Sequence, residues 1–411
     1  MTHSSFTELG IVEPLRRALE AEGYTTPTPI QTRAIPELLA GRDLLGLAQT
    51  GTGKTAAFAL PILQRLSVGH EQRPARSVRA LILAPTRELV IQISDSFRIY
   101  GKFLHLRHAV VVGGVGQGPQ VKALAGGVDI LVATPSRLLD LVRGNALRLG
   151  DVECLVLDEA DRMLDMGFIR DIRRIVAAVP RKRQSMLFSA TMPTDVEHLA
   201  NSILHQPVRI DISPPTRTAE NIDQRVFYVS TADKRALLST LLVDSALERV
   251  LVFTRTKHAA NRVAEHLGKS GVDAEAIHGN KSQGARQRAL ERFRSGSARV
   301  LVATDIAARG IDIDNVTHVI NFELPNEPES YVHRIGRTAR AGAAGIAISF
   351  CDASENAHLR QIERLTKSAL TVMQGKPGAD QPAPSQRGNR PSPQRARRGG
   401  WQHRGAARNA A

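Results

Sequence analysis

The chain has 411 residues, which at roughly 150 residues per domain suggests two to three domains. Hydrophobic residues make up 42% and charged residues 23%, and no apolar run approaches the roughly 18 residues that cross a bilayer, so a membrane-spanning protein is excluded. The formal net charge of +15 suits an anionic partner such as nucleic acid, although many basic proteins merely carry solvated basic faces.

The N-terminus and the cysteines indicate a compartment. The first ten residues lack both the basic flank and the apolar stretch of a secretory signal, so we expect a cytoplasmic protein with no membrane partner. Cys154 and Cys351 lie far apart and form no Cys-x-x-Cys pair. We therefore expect two core cysteines rather than a disulfide framework or a zinc site.

Short apolar runs alternate with longer helical patterns along most of the chain, which predicts an α/β fold with mainly parallel sheets flanked by helices. The predicted strands of the first half are 80–83, 130–132, 154–157 and 186–188. Those of the second half are 250–253, 300–303, 318–320 and 346–348. Between the two series, residues 205–223 contain three prolines and no periodic pattern, as expected of a domain boundary.

We therefore predict two α/β domains, 1–212 and 213–373. No sequence repeat is visible, so we expect the two to be alike in architecture rather than in sequence. From residue 374 the composition changes to Pro, Gly, Gln and Arg, which predicts a disordered basic tail over 374–411. The tail has eight cationic residues and one acidic residue, so it carries seven of the fifteen net positive charges. It could bind RNA, with Trp401 stacking on a base, or serve as a solubilising or protein-binding extension.

The sharpest local pattern is a glycine-rich phosphate loop over residues 48–55, followed by a helical pattern. Glycines let backbone N–H groups turn towards phosphate oxygens, while Lys54 can reach the β and γ phosphates and the Thr55 hydroxyl can ligate Mg²⁺. Ala48 stands where the usual pattern has Gly, and an ordinary Gly-rich turn is the alternative. The predicted nucleotide ligands here are Ala48, Gln49, Thr50, Gly51, Thr52, Gly53, Lys54 and Thr55.

An acidic pair follows the predicted buried strand 154–157. Carboxylates at the C-terminal end of a parallel strand face the phosphate crevice of an α/β sheet. We expect Asp158 to hold Mg²⁺ and Glu159 to orient and polarise the attacking water. The alternative is a solvated helix start, where acidic residues are favoured in any case.

With Asp158-Glu159-Ala160-Asp161 and this loop, the chain resembles the DEAD-box ATP-dependent RNA helicases along roughly residues 6–350. The resemblance implies two RecA-like domains, an RNA-stimulated ATPase, ATP with Mg²⁺, and RNA as partner. The short basic tail is further similar to bacterial RhlE-like members. The resemblance leaves open ribosome-assembly or RNA-decay proteins as partners.

Upstream, Gly23 to Gln31 resembles the adenine-recognising Q motif, and Phe6 resembles its isolated aromatic residue. Gln31 offers both a hydrogen-bond donor and an acceptor to adenine, and Tyr24 can stack. Ser189-Ala190-Thr191 resembles the segment that couples the nucleotide site to RNA, which implies hydrogen bonds from Ser189 and Thr191 to the Asp161 region. Taken alone, each of these segments could be a loop or a helix cap.

Several further segments resemble family segments that contact RNA. They supply hydroxyls, backbone amides and Arg side chains, which suit phosphate and read no base. The implied RNA ligands are Thr86, Arg87, Gly114, Thr134, Arg137, Arg255, Arg286 and Thr304. The family more often has Gly at the position of Ser136. Capping and turn chemistry is the alternative for each segment.

The resemblance also implies that residues of the second half contact the nucleotide in two places. The resemblance places Asp305 on the ATP ribose, and Arg337 and Arg340 as arginine fingers from the second domain. A basic surface helix is the alternative for this stretch. The implied mechanism is closure of the two domains on ATP and RNA together, with local unwinding of short RNA duplexes or remodelling of RNA–protein complexes. An ATP-gated RNA clamp or annealer and a DNA-directed motor are the competing functions.

Overall fold

The computed structural model describes residues 5–49, 51–68, 74–212, 222–308, 316–339 and 345–376. The predicted boundary at 212/213 falls next to residues outside these ranges. Gln374, the first residue of the predicted tail, ends a strand, and the tail from residue 377 onward lies outside the described residues. Among the helices in the described ranges, none combines the length and apolar character that crossing a bilayer requires.

The first half folds as a parallel sheet covered by helices. Its strands are β1 Leu44–Leu47, β2 Val78–Leu83, β3 His108–Val111, β4 Val128–Ala133, β5 Cys154–Leu157, β6 Gln184–Ser189 and β7 Val208–Asp211. Its helices are α1 Glu13–Ala21, α2 Pro29–Leu39, α3 Lys54–Ser67, α4 Arg87–Tyr100, α5 Gln117–Leu124, α6 Pro135–Arg143, α7 Ala160–Asp165, α8 Ile169–Ala178 and α9 Thr194–Ile203.

The second half repeats this layout. Its strands are β8 Ile222–Tyr228, β9 Val250–Thr254, β10 Ala274–Ile277, β11 Val300–Thr304, β12 His318–Asn321, β13 Gly345–Cys351 and β14 Thr371–Gln374. Its helices are α10 Lys234–Leu241, α11 Lys257–Lys269, α12 Gln283–Arg294, α13 Asp305–Ala308, α14 Pro328–Ile335 and α15 Asn356–Thr366, with a 3₁₀ turn at Ala353–Glu355.

Both sheets have the same strand order. The first runs β3-β4-β2-β5-β6-β1-β7, and the second runs β10-β11-β9-β12-β13-β8-β14, which is the same order shifted by seven strands. All of the described strand pairs are parallel. The prediction of two halves alike in architecture is therefore confirmed, together with the parallel α/β fold.

Alternation along the central strands divides each core between the two faces of a sheet. In β5, Cys154 and Val156 pack into one apolar cluster, and Leu155 and Leu157 pack into the cluster on the opposite face. The strands are therefore covered on both faces, which explains why they are continuous apolar runs in the sequence. Cys351 is buried in the second half, and both cysteines are free, which confirms the prediction of core thiols.

The eight predicted strands are all present, at β2, β4, β5, β6, β9, β11, β12 and β13. The segment 205–223 differs from its prediction, because it contains the edge strand β7, which pairs with β1. Only Ile210 of that strand is fully buried, so no apolar run marks it in the sequence. This strand continues the first sheet almost to residue 212.

Candidate ATP and RNA sites

The order of the first sheet separates two groups of predicted functional residues. The neighbouring strands β5, β6 and β1 end in the acidic pair, in Ser189 and in the phosphate loop. The other three neighbouring strands, β3, β4 and β2, lead to Gly114, Thr134 and Thr86. Because the strands are parallel, all of these residues lie at one edge of the sheet, with the candidate nucleotide ligands on one side and the candidate RNA ligands on the other.

The phosphate loop joins β1 to α3, and its glycines provide the turns. Gly51 and Gly53 have φ angles of 85° and 91°, in the left-handed region that glycine adopts without strain. Lys54 is buried, and its Nζ donates a hydrogen bond to the Ala48 carbonyl oxygen at 2.8 Å. The Thr52 hydroxyl donates to the Gln49 carbonyl oxygen at 2.8 Å, and Thr50 lies outside the described residues.

Gln31 connects helix α2 to this loop. Its Oε1 accepts a hydrogen bond from the Thr28 backbone N–H at 2.9 Å, and its Nε2 donates to the Gly53 carbonyl oxygen at 3.1 Å. One lone pair and one N–H of the amide stay available for adenine. Gln31 therefore couples the predicted base site to the phosphate loop.

The two aromatic residues of the predicted adenine site differ in exposure. Tyr24 is 41% exposed and packs edge-on against Tyr100, with ring centroids 5.9 Å apart. Phe6 is 5% exposed and belongs to the core of the first half. Tyr24 thus offers a ring at the surface for stacking, whereas Phe6 supports the site from the interior.

The close approach of Gln31 to Gly53 gives a first prediction. A Cβ at Gly53 would lie 2.5 Å from the Gln31 Nε2 and 2.8 Å from the Thr28 Oγ1, at a φ angle that L residues rarely adopt. We expect Gly53→Ala to weaken ATP binding at least tenfold, measured by titration with a fluorescent ATP analogue. Gly118→Ala is the matched control, because its Cβ would meet nothing within 4 Å. Unchanged affinity in Gly53→Ala would contradict the prediction.

The acidic pair is buried at the C-terminal end of β5. Burial raises the pKa of Asp158 to about 6, against the opposing charge of Lys54. Glu159 has a φ of 56°, and its Oε2 accepts a hydrogen bond from the Arg162 Nη1 at 2.6 Å. Although burial opposes ionisation, the charges of Arg162, Lys54 and Arg337 hold the pKa of Glu159 below its usual value. The two carboxyls therefore titrate differently, with Glu159 the more strongly ionised.

Asp161 is hydrogen-bonded to the segment that follows β6. Its Oδ2 accepts hydrogen bonds from the backbone N–H groups of Ala190 and Thr191, at 3.2 and 2.9 Å, and from the Thr191 hydroxyl at 2.9 Å. Its own N–H donates to the Ser189 Oγ at 3.3 Å. Burial raises the pKa of Asp161, but Arg162 and the Thr191 hydroxyl outweigh it and lower the pKa overall. The implied contact between Asp161, Ser189 and Thr191 is thus present.

Two side chains of the second half, in α14 and just after it, act by their charge on carboxyls that follow β5. The charge of Arg337 contributes to the lowered pKa of Glu159, and that of His333 to the lowered pKa of Asp161. Arg337 is 4% exposed. Arg340 lies outside the described residues. One of the two predicted arginine fingers therefore acts electrostatically on Glu159 of the first half.

Sequence reasoning assigned no role to Arg334 or Arg162. The Arg334 Nε and Nη2 donate to the two carboxylate oxygens of Asp305 at 2.6 and 2.7 Å, and its Nη1 donates to the Glu323 carbonyl oxygen. Asp305, predicted on the ATP ribose, is thus oriented by a buried guanidinium. Arg162 forms an ion pair with Glu159, and the i,i+3 spacing of these two residues is the sequence pattern that could have predicted it.

Several of the predicted RNA ligands of the first half lie close together. The Thr86 Oγ1 accepts the Leu89 N–H and caps α4, while Arg87 packs directly on Gly114, where any Cβ would lie 2.0 Å from the Arg87 Nη1. Arg137 donates to the Val115 carbonyl oxygen at 2.9 Å. Burial lowers the pKa of Arg87, and the charges of Arg286 and Arg137 add to this effect. Such a cluster of cations suits phosphate.

Helix α12 of the second half, which carries the candidate RNA ligand Arg286, packs against helix α4 of the first half. The Arg286 Nε lies 2.9 Å from the Glu88 Oε1, and the Arg87 Nη1 donates to the Gln283 Oε1 at 3.5 Å. Arg255 is held by Glu323 and Glu355. Thr304 ends β11 and pairs in register with Thr254, and Thr134 precedes α6 without capping it. The structure therefore brings Arg286 beside Arg87 and Glu88 in a cleft between α4 and α12, whereas the contacts of Arg255 and Thr304 described above lie within the second half.

Two helicase families match the chain. Residues 28–199 match the DEAD/DEAH box helicase family, and residues 233–342 match the helicase conserved C-terminal domain. The DEAD-box ATP-dependent RNA helicase CshA of Bacillus cereus is 44% identical over 372 residues, which cover 90% of this chain and 70% of the relative. CshA of Bacillus subtilis is 42% identical over 369 residues, which cover 90% and 74%.

Solved structures are similar to this chain along most of its length. S. cerevisiae Dbp5 bound to RNA and ADP BeF3 has a TM-score of 0.81 at 33% identity, covering 90% of this chain and 96% of Dbp5. A Dbp5 variant bound to Nup159, Gle1, IP6 and ADP has a TM-score of 0.61 at 31% identity, covering 89% and 96%. Both likenesses extend over about 90% of this chain, so they include both halves.

Proposed function

The chain belongs to the DEAD-box ATP-dependent RNA helicases, and on that premise we propose that it opens short RNA duplexes locally, or remodels RNA–protein complexes, when its two halves close on ATP and RNA together. The observation that carries this proposal is that Arg337, a buried residue of the second half, lies near enough to Glu159 of the first half for its charge to help lower the pKa of that carboxyl. This proximity supports a nucleotide site to which the second half contributes Arg337. ATP would then favour the closed state, because only the closed state offers the phosphates contacts from both halves.

For the nucleotide, we propose that Tyr24 and Gln31 bind adenine, that the phosphate loop binds the phosphates, and that Asp305 binds the ribose. The phosphate loop supports this assignment, because Gly53 leaves no room for a Cβ and the buried Lys54 donates a hydrogen bond to the Ala48 carbonyl oxygen within the loop. Glu159 would orient the attacking water. Arg337 and Arg340 would stabilise the charge of the transition state.

We propose that Thr55 and Asp158 hold Mg²⁺, with Asp158 acting through water. A hydroxyl and a buried carboxylate are hard oxygen donors of the kind that Mg²⁺ prefers. Burial raises the Asp158 pKa to about 6, which means that its ionised form benefits from a nearby cation. When bound, Mg²⁺ supplies positive charge that neutralises the phosphates.

Asp161, with Ser189 and Thr191, is the proposed connection between the nucleotide half of the sheet edge and the RNA half. The ligands Thr86, Arg87, Gly114, Thr134 and Arg137 would hold one RNA strand from the first half, and Arg255, Arg286 and Thr304 would hold it from the second. Since these groups suit phosphates, binding would not depend on base identity. The cytoplasmic location, the ribosome-assembly or RNA-decay partners, the domain boundaries and the RhlE-like subfamily stay predictions.

Steady-state ATP hydrolysis tests the proposal. We expect single-stranded RNA to stimulate hydrolysis by the full chain at least tenfold and matched DNA to stimulate it far less. Lys54→Ala should reduce hydrolysis to background, because the phosphates lose their buried cation. Duplex opening should require ATP, as followed with a labelled strand. Equal stimulation by DNA would contradict the RNA assignment, and RNA-stimulated hydrolysis without strand separation would favour an ATP-gated clamp.

A further inference from the structure

Helix α8 presents a row of cations to solvent. Its apolar positions Ile172 and Ile175 are buried, whereas Arg170, Arg173 and Arg174 are exposed on the opposite side. The i, i+3 and i+4 spacing places these three guanidinium groups on one helix face. Arg181 and Lys182, which follow the helix, are also exposed. We call these five residues the α8 cation row.

The α8 cation row has no anionic partner within the part of the chain that the structure describes. None of its five side chains makes an ion pair or a hydrogen bond there. Residues 166–183 contain six cationic residues and one acidic residue, so this segment carries a net charge of +5. The α8 cation row therefore lies in a strongly basic part of the first half.

This concentration is unfavourable for the helix itself. Like charges at i, i+3 and i, i+4 destabilise a helix by about 0.2–0.5 kcal/mol per pair, and Arg170 lies in the first turn, where the helix dipole disfavours cations. Arg170 forms such pairs with both Arg173 and Arg174. An external polyanion would relieve this repulsion.

The start of α8 is directly attached to the candidate RNA site. The Ser136 Oγ donates a hydrogen bond to the Asp171 Oδ2 at 2.7 Å, and Asp171 lies in the first turn of α8. Ser136 stands between Thr134 and Arg137, and Arg137 in turn donates to the Val115 carbonyl oxygen beside Gly114. A Gly at position 136 could not make the contact with Asp171. The side chain of this serine thus ties the α8 cation row to the RNA cleft.

We propose that the α8 cation row is an accessory RNA-binding surface, which holds the backbone phosphates of RNA that extends past Thr134 and Arg137 out of the cleft. The ten residues of α8 span about 15 Å, enough to face several phosphates. Guanidinium groups bind phosphate without reading bases, so the surface adds affinity for longer RNA and no sequence preference. This inference rests on the proposed function, because it needs RNA in the cleft.

A length series of oligouridylates tests the proposal in the full chain with a non-hydrolysable ATP analogue, by fluorescence anisotropy at several salt concentrations. For the longest RNA, Arg170→Gln/Arg173→Gln/Arg174→Gln should lower affinity by about 10- to 100-fold at about 0.1 M salt. The slope of log K against log salt should become shallower by about 2, at roughly 0.7 per lost phosphate contact. Affinity for the shortest RNA that stimulates hydrolysis should stay the same.

The control variant removes three exposed cations from α15 and its C-cap residue in the second half. It is Arg360→Gln/Arg364→Gln/Lys367→Asn, with Asn at 367 because the φ of 52° there is left-handed. The control should retain the affinity and the salt slope for long RNA. Equal behaviour of the two triple variants, or an equal loss on the shortest RNA, would overturn the proposal. If no RNA stimulates hydrolysis by the unmodified chain, the proposed function fails instead.

Discussion

Replacing Glu159 with Gln is expected to lower RNA-stimulated ATP turnover by about 10²–10⁴, while ATP and RNA still bind. The surrounding cations hold the pKa of Glu159 below its usual value, so at neutral pH it is a carboxylate that can orient and polarise water. Gln keeps the shape and one acceptor oxygen but loses the charge. Single-turnover hydrolysis together with equilibrium binding of ATP and RNA measures both parts. Undiminished turnover would remove Glu159 from its assigned role.

The buried ion pair between Glu159 and Arg162 has to be separated from this effect. Removing one partner of such a pair can cost about 3–5 kcal/mol of stability, because the other charge stays buried and uncompensated. Arg162→Gln breaks the same pair but leaves the carboxylate in place. We expect both variants to unfold at lower temperature than the unmodified chain, while Arg162→Gln retains clearly more turnover than Glu159→Gln. Comparable turnover in the two variants would mean that the ion pair, rather than the carboxylate, is what hydrolysis requires.

Most central strands could be predicted from the sequence because they are buried on both faces and therefore form apolar runs. The central strands β1 and β8 are absent from the prediction, since β1 is a run of four residues interrupted by Gly46 and β8 is only partly buried. The edge strands could not, since β3 and β7 are only partly buried and leave no such signal. For the same reason, the predicted boundary segment included a strand of the first sheet. Burial, rather than strand propensity, is what the apolar pattern reports.

The candidate site divides in a similar way. Motif order placed Lys54, Asp158 and Asp161 in one site, because loops at the ends of parallel strands must converge. The ion pair of Glu88 with Arg286 joins residues 198 positions apart, and only the folded chain brings them together. Ser136 shows the converse case, in which a residue that departs from the family pattern forms a specific contact with Asp171. Local sequence predicts which residues carry the chemistry, but their long-range partners depend on how the two halves pack.

Replacing Arg337 with Ala is expected to reduce the turnover number by about 10³–10⁵, with little change in ATP affinity. That factor corresponds to roughly 4–7 kcal/mol of transition-state stabilisation. The proposed ligands of ground-state ATP lie mostly in the first half. Arg337 comes from the second half, and its charge helps to lower the pKa of Glu159. Arg337→Lys keeps one positive charge without the planar fork, so its turnover should fall between those of Ala and Arg. A raised KM for ATP at an unchanged turnover number would instead assign Arg337 to ground-state binding.

Because Arg337 is buried, the Ala variant also needs a control that distinguishes a catalytic defect from a folding defect. Nucleotide-free RNA binding should stay close to that of the unmodified chain, since the cleft contacts of Arg87 and Arg286 lie elsewhere, and circular dichroism should show that the variant is folded at the assay temperature. The double variant Glu159→Gln/Arg337→Ala is the sharper test. If both side chains act on one transition state, the double variant should be scarcely slower than the more impaired single variant, because the second group then has little left to stabilise. Fully multiplicative losses would show that the carboxylate and the guanidinium act in separate steps, and that closure of the second half onto the first does not assemble a single catalytic site.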